Sequence, residues 1–364
     1  LDESVPHPTT LSKLVRRCGA ETFQALNESL LGKLREQKLL RGRKLRVDTT
    51  VVEADIERPT DASLLHKAVR KLGQVVRRIK TGGAARRTPY RDRTRSAGRR
   101  IRAISQSFRR RTGDARAEVD RLTAELAELA RRSLRQADRV LRSARRALAH
   151  RPRDGRLGHL VRVLQETTEG TRRLVDQTRQ RLGGERSMSI PNRMVSLADP
   201  EARPIRRGKP HRLTEFGYKV LLAESEEGFL VGSQTHLGNP AALHLMVPAV
   251  RQVASRLGRP PHTVVGDRGF GTAPVERDLL DLGVRRVGIP RQGRPSRARA
   301  EYEKGRSFRR LRRWRVGIEA RISHLNREVG LSRTRLRTKE GATIWTESGI
   351  FAHNLHRMAV LAGG

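Results

Sequence analysis

Three acidic residues stand out by what surrounds them. Asp48 interrupts the β-branched run Leu45-Arg46-Val47-Asp48-Thr49-Thr50-Val51-Val52, where a buried strand is expected. Asp267 directly follows Thr263-Val264-Val265-Gly266 and precedes Arg268-Gly269-Phe270. Functional groups of α/β sheets gather where strands end and loops begin. Glu319 borders the apolar stripe Ile318, Ile322 and Leu325 of a predicted helix. A carboxylate beside a core is costly unless paired or bound to a metal. Each of the three could simply neutralise an arginine, Glu319 above all, with Arg315 and Arg321 beside it. Together on one sheet they suit a different chemistry. Hard carboxylate oxygens match Mg²⁺, and a pair of such ions stabilises the attacking and leaving oxygens of a phosphoryl transfer.

The composition points to a polyanionic partner. The 364 residues carry 78 Lys+Arg against 38 Asp+Glu, a formal net charge of +40, with aromatics at only 3%. Such an excess repels itself unless nucleic acid or a comparable polyanion is present. One cysteine, Cys18, excludes an internal disulfide framework and a Cys-rich zinc site. It reads as a small buried hydrophobe. No apolar run reaches the 18 residues of a membrane span. His211, His236, His262 and His353 show no paired ligand spacing. The chain opens on Leu1 with no charged-then-apolar leader, so we expect no signal peptide and a longer natural N-terminus.

The elements that must position the acids follow from periodicity. Residues 1–43 read as one or two amphipathic helices and 44–61 as the first strand, ended by Pro59 and Asp61. Residues 62–186 are Arg-rich and helical. Apolar positions run from Val119 to Leu148, break at Pro152–Gly155, and resume from Leu157 to Val175, which predicts an antiparallel helical hairpin. Lys80–Arg102, with Gly82-Gly83, Pro89 and a heavy cationic load, reads as a loop or disorder. In 187–364 we expect strands at 217–224, 229–236, 262–266 and 284–289. Helices are expected at 240–257, 274–282 and 308–329. The fold class is α/β: a mixed sheet flanked by helices, with the helical stretch inserted after the first strand.

These motifs resemble insertion-sequence DDE transposases, whose catalytic core is ribonuclease-H-like. The resemblance rests on Leu45–Ala54 around Asp48, on Val265-Gly266-Asp267-Arg268-Gly269-Phe270, and on Gly317-Ile318-Glu319-Ala320-Arg321-Ile322-Ser323. Supporting motifs are Asp199-Pro200-Glu201-Ala202-Arg203-Pro204-Ile205, Glu215-Phe216-Gly217-Tyr218-Lys219, Gly238-Asn239-Pro240 and a closing helix over Trp345–Leu355. The resemblance implies that Asp48, Asp267 and Glu319 hold two Mg²⁺ or Mn²⁺ ions. It further implies cleavage of transposon ends by water and then attack of the freed 3′-hydroxyl on target DNA. In the family a Tyr, an Arg and a Lys accompany the glutamate. Here Arg315 takes the Arg position, Arg312 stands at the Tyr position and Asn326 at the Lys position, with Arg327 beside it. The segment after Gly-Asn-Pro reads Ala241-Ala242-Leu243-His244 and offers no fourth acid.

Implied partners are terminal inverted repeats and target DNA, with a homodimer or larger assembly on DNA and no membrane. The implied location is the bacterial cytoplasm, at the nucleoid. We expect Arg315, Arg268, Arg321, Arg327, Lys209 and Arg212 to contact DNA, and the arginines of 62–186 either to grip phosphates or to form a solvated face or dimer contact. Trp314 and Trp345 read as core anchors. Two rivals remain at this point: a metal-dependent nuclease on the same fold, and an inactive DNA-binding remnant.

Overall fold

A computed structural model describes the chain apart from residues 1–6, 110–113, 188, 210–211 and 363–364. It divides into two compact units, one formed by residues 1–55 with 202–364 and the other by 56–201.

The first unit is built on β1 (Lys44–Ala54), which is flanked on both edges. It pairs antiparallel with β3 (Arg212–Ser225) and parallel with β5 (Thr263–Val265). The strand β6 (Arg286–Gly288) adds parallel to β5. The far edge of β3 is shared, antiparallel, by β2 (Arg203–Lys209) and β4 (Leu230–His236). A two-residue β7 (Arg333–Thr334) pairs with the end of β1. A mixed sheet in this order, with helices on its faces, is compatible with a ribonuclease-H-like fold. The strands expected at 217–224, 229–236, 262–266 and 284–289 coincide with β3, β4, β5 and β6. The short, charged β2 and β7 carry no alternation that a sequence reading can find.

Alternation along β1 sends successive side chains to opposite faces. Leu45 and Val47 join Leu221, Ala223 and Val264 on one face, under Leu31 and Leu34 of α1 (Pro8–Glu36) and Met246 and Val250 of α6 (Leu243–Leu257). Val52, Val220 and Leu222 occupy the other, under Leu325 of α10 (Gly317–Glu328) and Ile350 of α11 (Thr338–Ala362). The helix α1 breaks at Gly19, where φ 76° and ψ 171° leave the helical region. Between the β-strands of the second half lie α7 (Ala273–Asp281), α8 (Arg297–Lys304) and α9 (Arg306–Arg315). The single helix expected over 308–329 is two: α9 ends at Arg315 and α10 starts at Gly317.

The second unit is helical: α2 (Asp61–Thr81), α3 (Thr94–Ser107), α4 (Ala115–Ala149) and α5 (Gly155–Leu182). Thr60 and Ser63 form a reciprocal capping box at the start of α2. Asp154 accepts from the Leu157 N–H at 2.9 Å and starts α5 after the Pro152–Gly155 break. The expectation of a loop or disorder over 80–102 is corrected at 80–81, which close α2, and from residue 94 onward. Ala97, Ile101 and Ile104 supply a helical stripe against Leu122 and Leu126, and the cationic load lies off that stripe. Inside this unit, buried Asp61 accepts from Arg193 at 2.8 Å and also from Arg181, which reaches Asp120 at 3.0 Å.

Candidate active site

The parallel pairing of β1 with β5 brings the chain past two of the acids. Arg46 of β1 is the parallel partner of Val265 of β5. Two residues further along β1 comes Asp48, on the face that also carries Arg46, and two residues past Val265, beyond the end of β5, comes Asp267 at the start of the turn that follows. The two carboxylates lie near enough for the Asp267 charge to act on Asp48. Asp48 accepts from its neighbour's N–H, that of Thr49, at 2.7 Å. Asp267 caps the 3-10 turn Arg268–Phe270 by accepting from the Gly269 N–H at 2.8 Å, and Phe270 is fully buried beneath it.

Glu319 enters from above, in the first turn of α10. The guanidinium of Arg315 lies between two of the acids. Its Nη2 donates to Glu319 Oε1 at 2.7 Å and its Nη1 sits 3.5 Å from Asp48 Oδ2. The electrostatic result is read at Asp48, whose carboxyl is pushed up to about 6. Burial is the largest cause and the Asp267 charge the next. The Thr49 N–H and Arg315 pull it back down, and Glu319 adds a smaller upward push.

Below this cluster runs a second set of charges. Glu224 faces Arg46 across the β1–β3 ladder and is fully buried. It accepts from Arg46 Nε at 2.6 Å and from Arg321 Nε at 2.8 Å. The Arg46 guanidinium also donates to the Trp314 carbonyl at 3.2 Å and lies 5.3 Å from that indole ring. A Cβ on Gly317 would overlap the same guanidinium, so the first residue of α10 must be small.

A cleft of about 910 Å³ opens beside Asp267. The arginines of α9 at 306, 309, 312, 313 and 315 line it together with Arg268. Phe308 and Leu311 bury the opposite stripe of the helix. Three of these positions, Arg306, Arg309 and Arg313, were not singled out from sequence. Their signal was the three- and four-residue spacing opposite Phe308 and Leu311.

Of the arginines expected to contact DNA, Arg315 and Arg268 are at the cleft. The Arg268 guanidinium is anchored by the carbonyls of Arg291 (2.8 Å) and Gly293 (3.2 Å). Arg321 is instead taken up by Glu224, and Arg327 is exposed on α10. Lys209 and Arg212 face each other at the ends of β2 and β3, and their side chains lie outside the described residues, as does His211. His353 is buried 3.1 Å from the Gly228 carbonyl, and burial holds it down at about 4. Trp345 donates to the Gly330 carbonyl at 3.1 Å and packs on the core under α11.

The three acids suit divalent ions in donor type, being hard oxygens, and burial first and the Asp267 charge second already resist the ionisation of Asp48. Among the described residues no three acidic, histidine or cysteine side chains are yet gathered as closely as a metal requires. Arg315 is the group that separates Glu319 from Asp48.

The model of the transposase DDE domain family matches residues 167–355, more than half of the chain, and the chain belongs to that family. No curated protein and no solved structure matches it. Transposases act on DNA, and this family generally uses divalent metals. The matched range includes Asp267 and Glu319 but begins after Asp48, so the case for Asp48 is geometric. No helix among the described residues is long and apolar enough to cross a membrane.

Proposed function

We propose that the chain is the catalytic part of an insertion-sequence transposase that cuts the ends of its element and joins them to target DNA. What supports the reading is a buried Asp48, pushed up to about 6 first by burial and then by the Asp267 charge, with Glu319 held on the other side of the Arg315 guanidinium. Asp48, Asp267 and Glu319 would hold two divalent ions, Mg²⁺ or Mn²⁺. When bound, such ions polarise the scissile phosphate and stabilise the attacking and leaving oxygens.

The chain's own residues do the rest. The α9 arginines and Arg268 neutralise phosphates along the cleft and aim the backbone at Asp267. Arg315 supports Glu319 on one side and Asp48 on the other, and its place in the cleft lining would put it beside a DNA phosphate bound there. The burial of Phe270 beneath the Asp267 turn keeps that carboxylate from drifting. The Arg-rich helical unit adds phosphate contacts, and two copies hold the two element ends.

The test is a duplex bearing an element end, incubated with Mg²⁺ and scored separately for nicking and joining. Asp48→Asn, Asp267→Asn and Glu319→Gln should each lower both by at least about 100-fold while DNA binding persists. Nicking without joining in the wild type would mark a nuclease. Binding with neither activity would mark a DNA-binding remnant.

A further inference from the structure

We propose that Glu224 is a positioning residue for Glu319, acting through Arg46 and Arg321. The inference rests on the reading of Glu319 as a metal-holding acid. Glu224 is fully buried, and both of its oxygens are engaged, one by Arg46 and one by Arg321. It is therefore out of reach of DNA or metal itself. The two arginines leave it in different directions. Arg46 continues to the Trp314 carbonyl, in the last turn of α9. Arg321 sits two residues past Glu319 on α10. The segment 315–319, which holds both Arg315 and Glu319, is thus pinned at its two ends to one carboxylate in the floor of the sheet.

That floor also fixes the other half of the site. Arg46 and Asp48 are alternate residues of one strand, on one face. Glu224 stands opposite Arg46 in the ladder. A single buried anion therefore sets where the helix-borne acid lies relative to the strand-borne one. Ordinary apolar packing would have sufficed to hold α10 down, as Ile318 and Leu325 already do. A buried Arg–Glu–Arg triad is weak evidence for stability, because apolar replacements of similar volume are often as stable or more so. What it adds is direction: guanidinium–carboxylate geometry tolerates little rotation of the helix.

That separation of stability from geometry is the basis of the experiment. Glu224→Gln and the apolar triple variant Arg46→Met/Glu224→Met/Arg321→Met are compared with wild type in the full-length protein. Melting temperature, kcat and KM for end cleavage, and Mn²⁺ affinity in the absence of DNA are measured. The triple variant should recover the wild-type melting temperature. Its kcat should stay at least about tenfold low with KM within about threefold, and its Mn²⁺ affinity should be weakened. If kcat and Mn²⁺ affinity return together with the melting temperature, Glu224 is only a brace and the inference is overturned. A wild type inactive on DNA would defeat the transposase reading instead. The inference is then decided by Mn²⁺ alone, equal affinity in wild type and Glu224→Gln overturning it.

Discussion

At Asp48 folding and function pull in opposite directions. Its carboxyl rises from an ordinary 3.8 to about 6, so the folded state resists its ionisation. A carboxyl raised on folding costs stability as pH climbs through the folded value. Metal-free wild type should therefore lose up to about 3 kcal/mol relative to Asp48→Asn between pH 4 and pH 7, and Mg²⁺ should restore it. Thermal melts of the two proteins across that range check the sign. His353 works the other way, being lowered to about 4 by burial. The unfolded chain takes up its proton near 6.5, so stability should fall by up to about 3 kcal/mol as pH drops from 6.5 to 4. His353→Gln should flatten that limb of the stability curve. Asp48, Asp267 and Glu319 drew notice in the sequence because acids rarely interrupt strands or border an apolar stripe. Glu224 drew none, since its partner Arg46 is 178 positions away and only the β1–β3 register joins them.

Among the elements, the long or strongly apolar ones were legible and the short or charged ones were not. The strand β1 announces itself as a β-branched run, β3–β6 as short apolar stretches between turn residues, and α4 and α5 as stripes around a Pro–Gly break. The helix α3 hid beneath its arginines, because charge was read before spacing. The division of 308–329 into α9 and α10 escaped periodicity altogether. At that break Gly317 lies against the Arg46 guanidinium, with no room for a Cβ between them. Gly317→Ala should therefore displace Arg46 or tilt α10, costing about 1–3 kcal/mol by denaturant titration and lowering cleavage more than DNA binding. In the helical unit Leu164 is fully buried, and Leu164→Ala should cost about 2–5 kcal/mol.

For the molecule as a whole, a net charge of +40 makes every DNA affinity a function of salt. Each phosphate contact contributes about 0.9 to the slope of log affinity against log salt. Arg309→Gln/Arg313→Gln, both at the cleft, should lower that slope by nearly 2 on duplex DNA. Substituting two exposed arginines away from the cleft, Arg16 and Arg17 of α1, should change it less. Filter binding at four or five salt concentrations separates the cases.

The pairing of β1 with β3 has a kinetic consequence. These ladder neighbours are joined along the chain only by residues 55–211, which include the whole helical unit 56–201. During synthesis the first strand must wait, unpaired and apolar, until some 160 further residues have left the ribosome. A structureless tether of that length would make closure slow, and the exposed strand would invite aggregation. Locally closed helices fold within microseconds to milliseconds, so the intervening segment is compact well before its flanks meet. A segment that has folded on itself leaves a shorter effective loop for β1 and β3 to close.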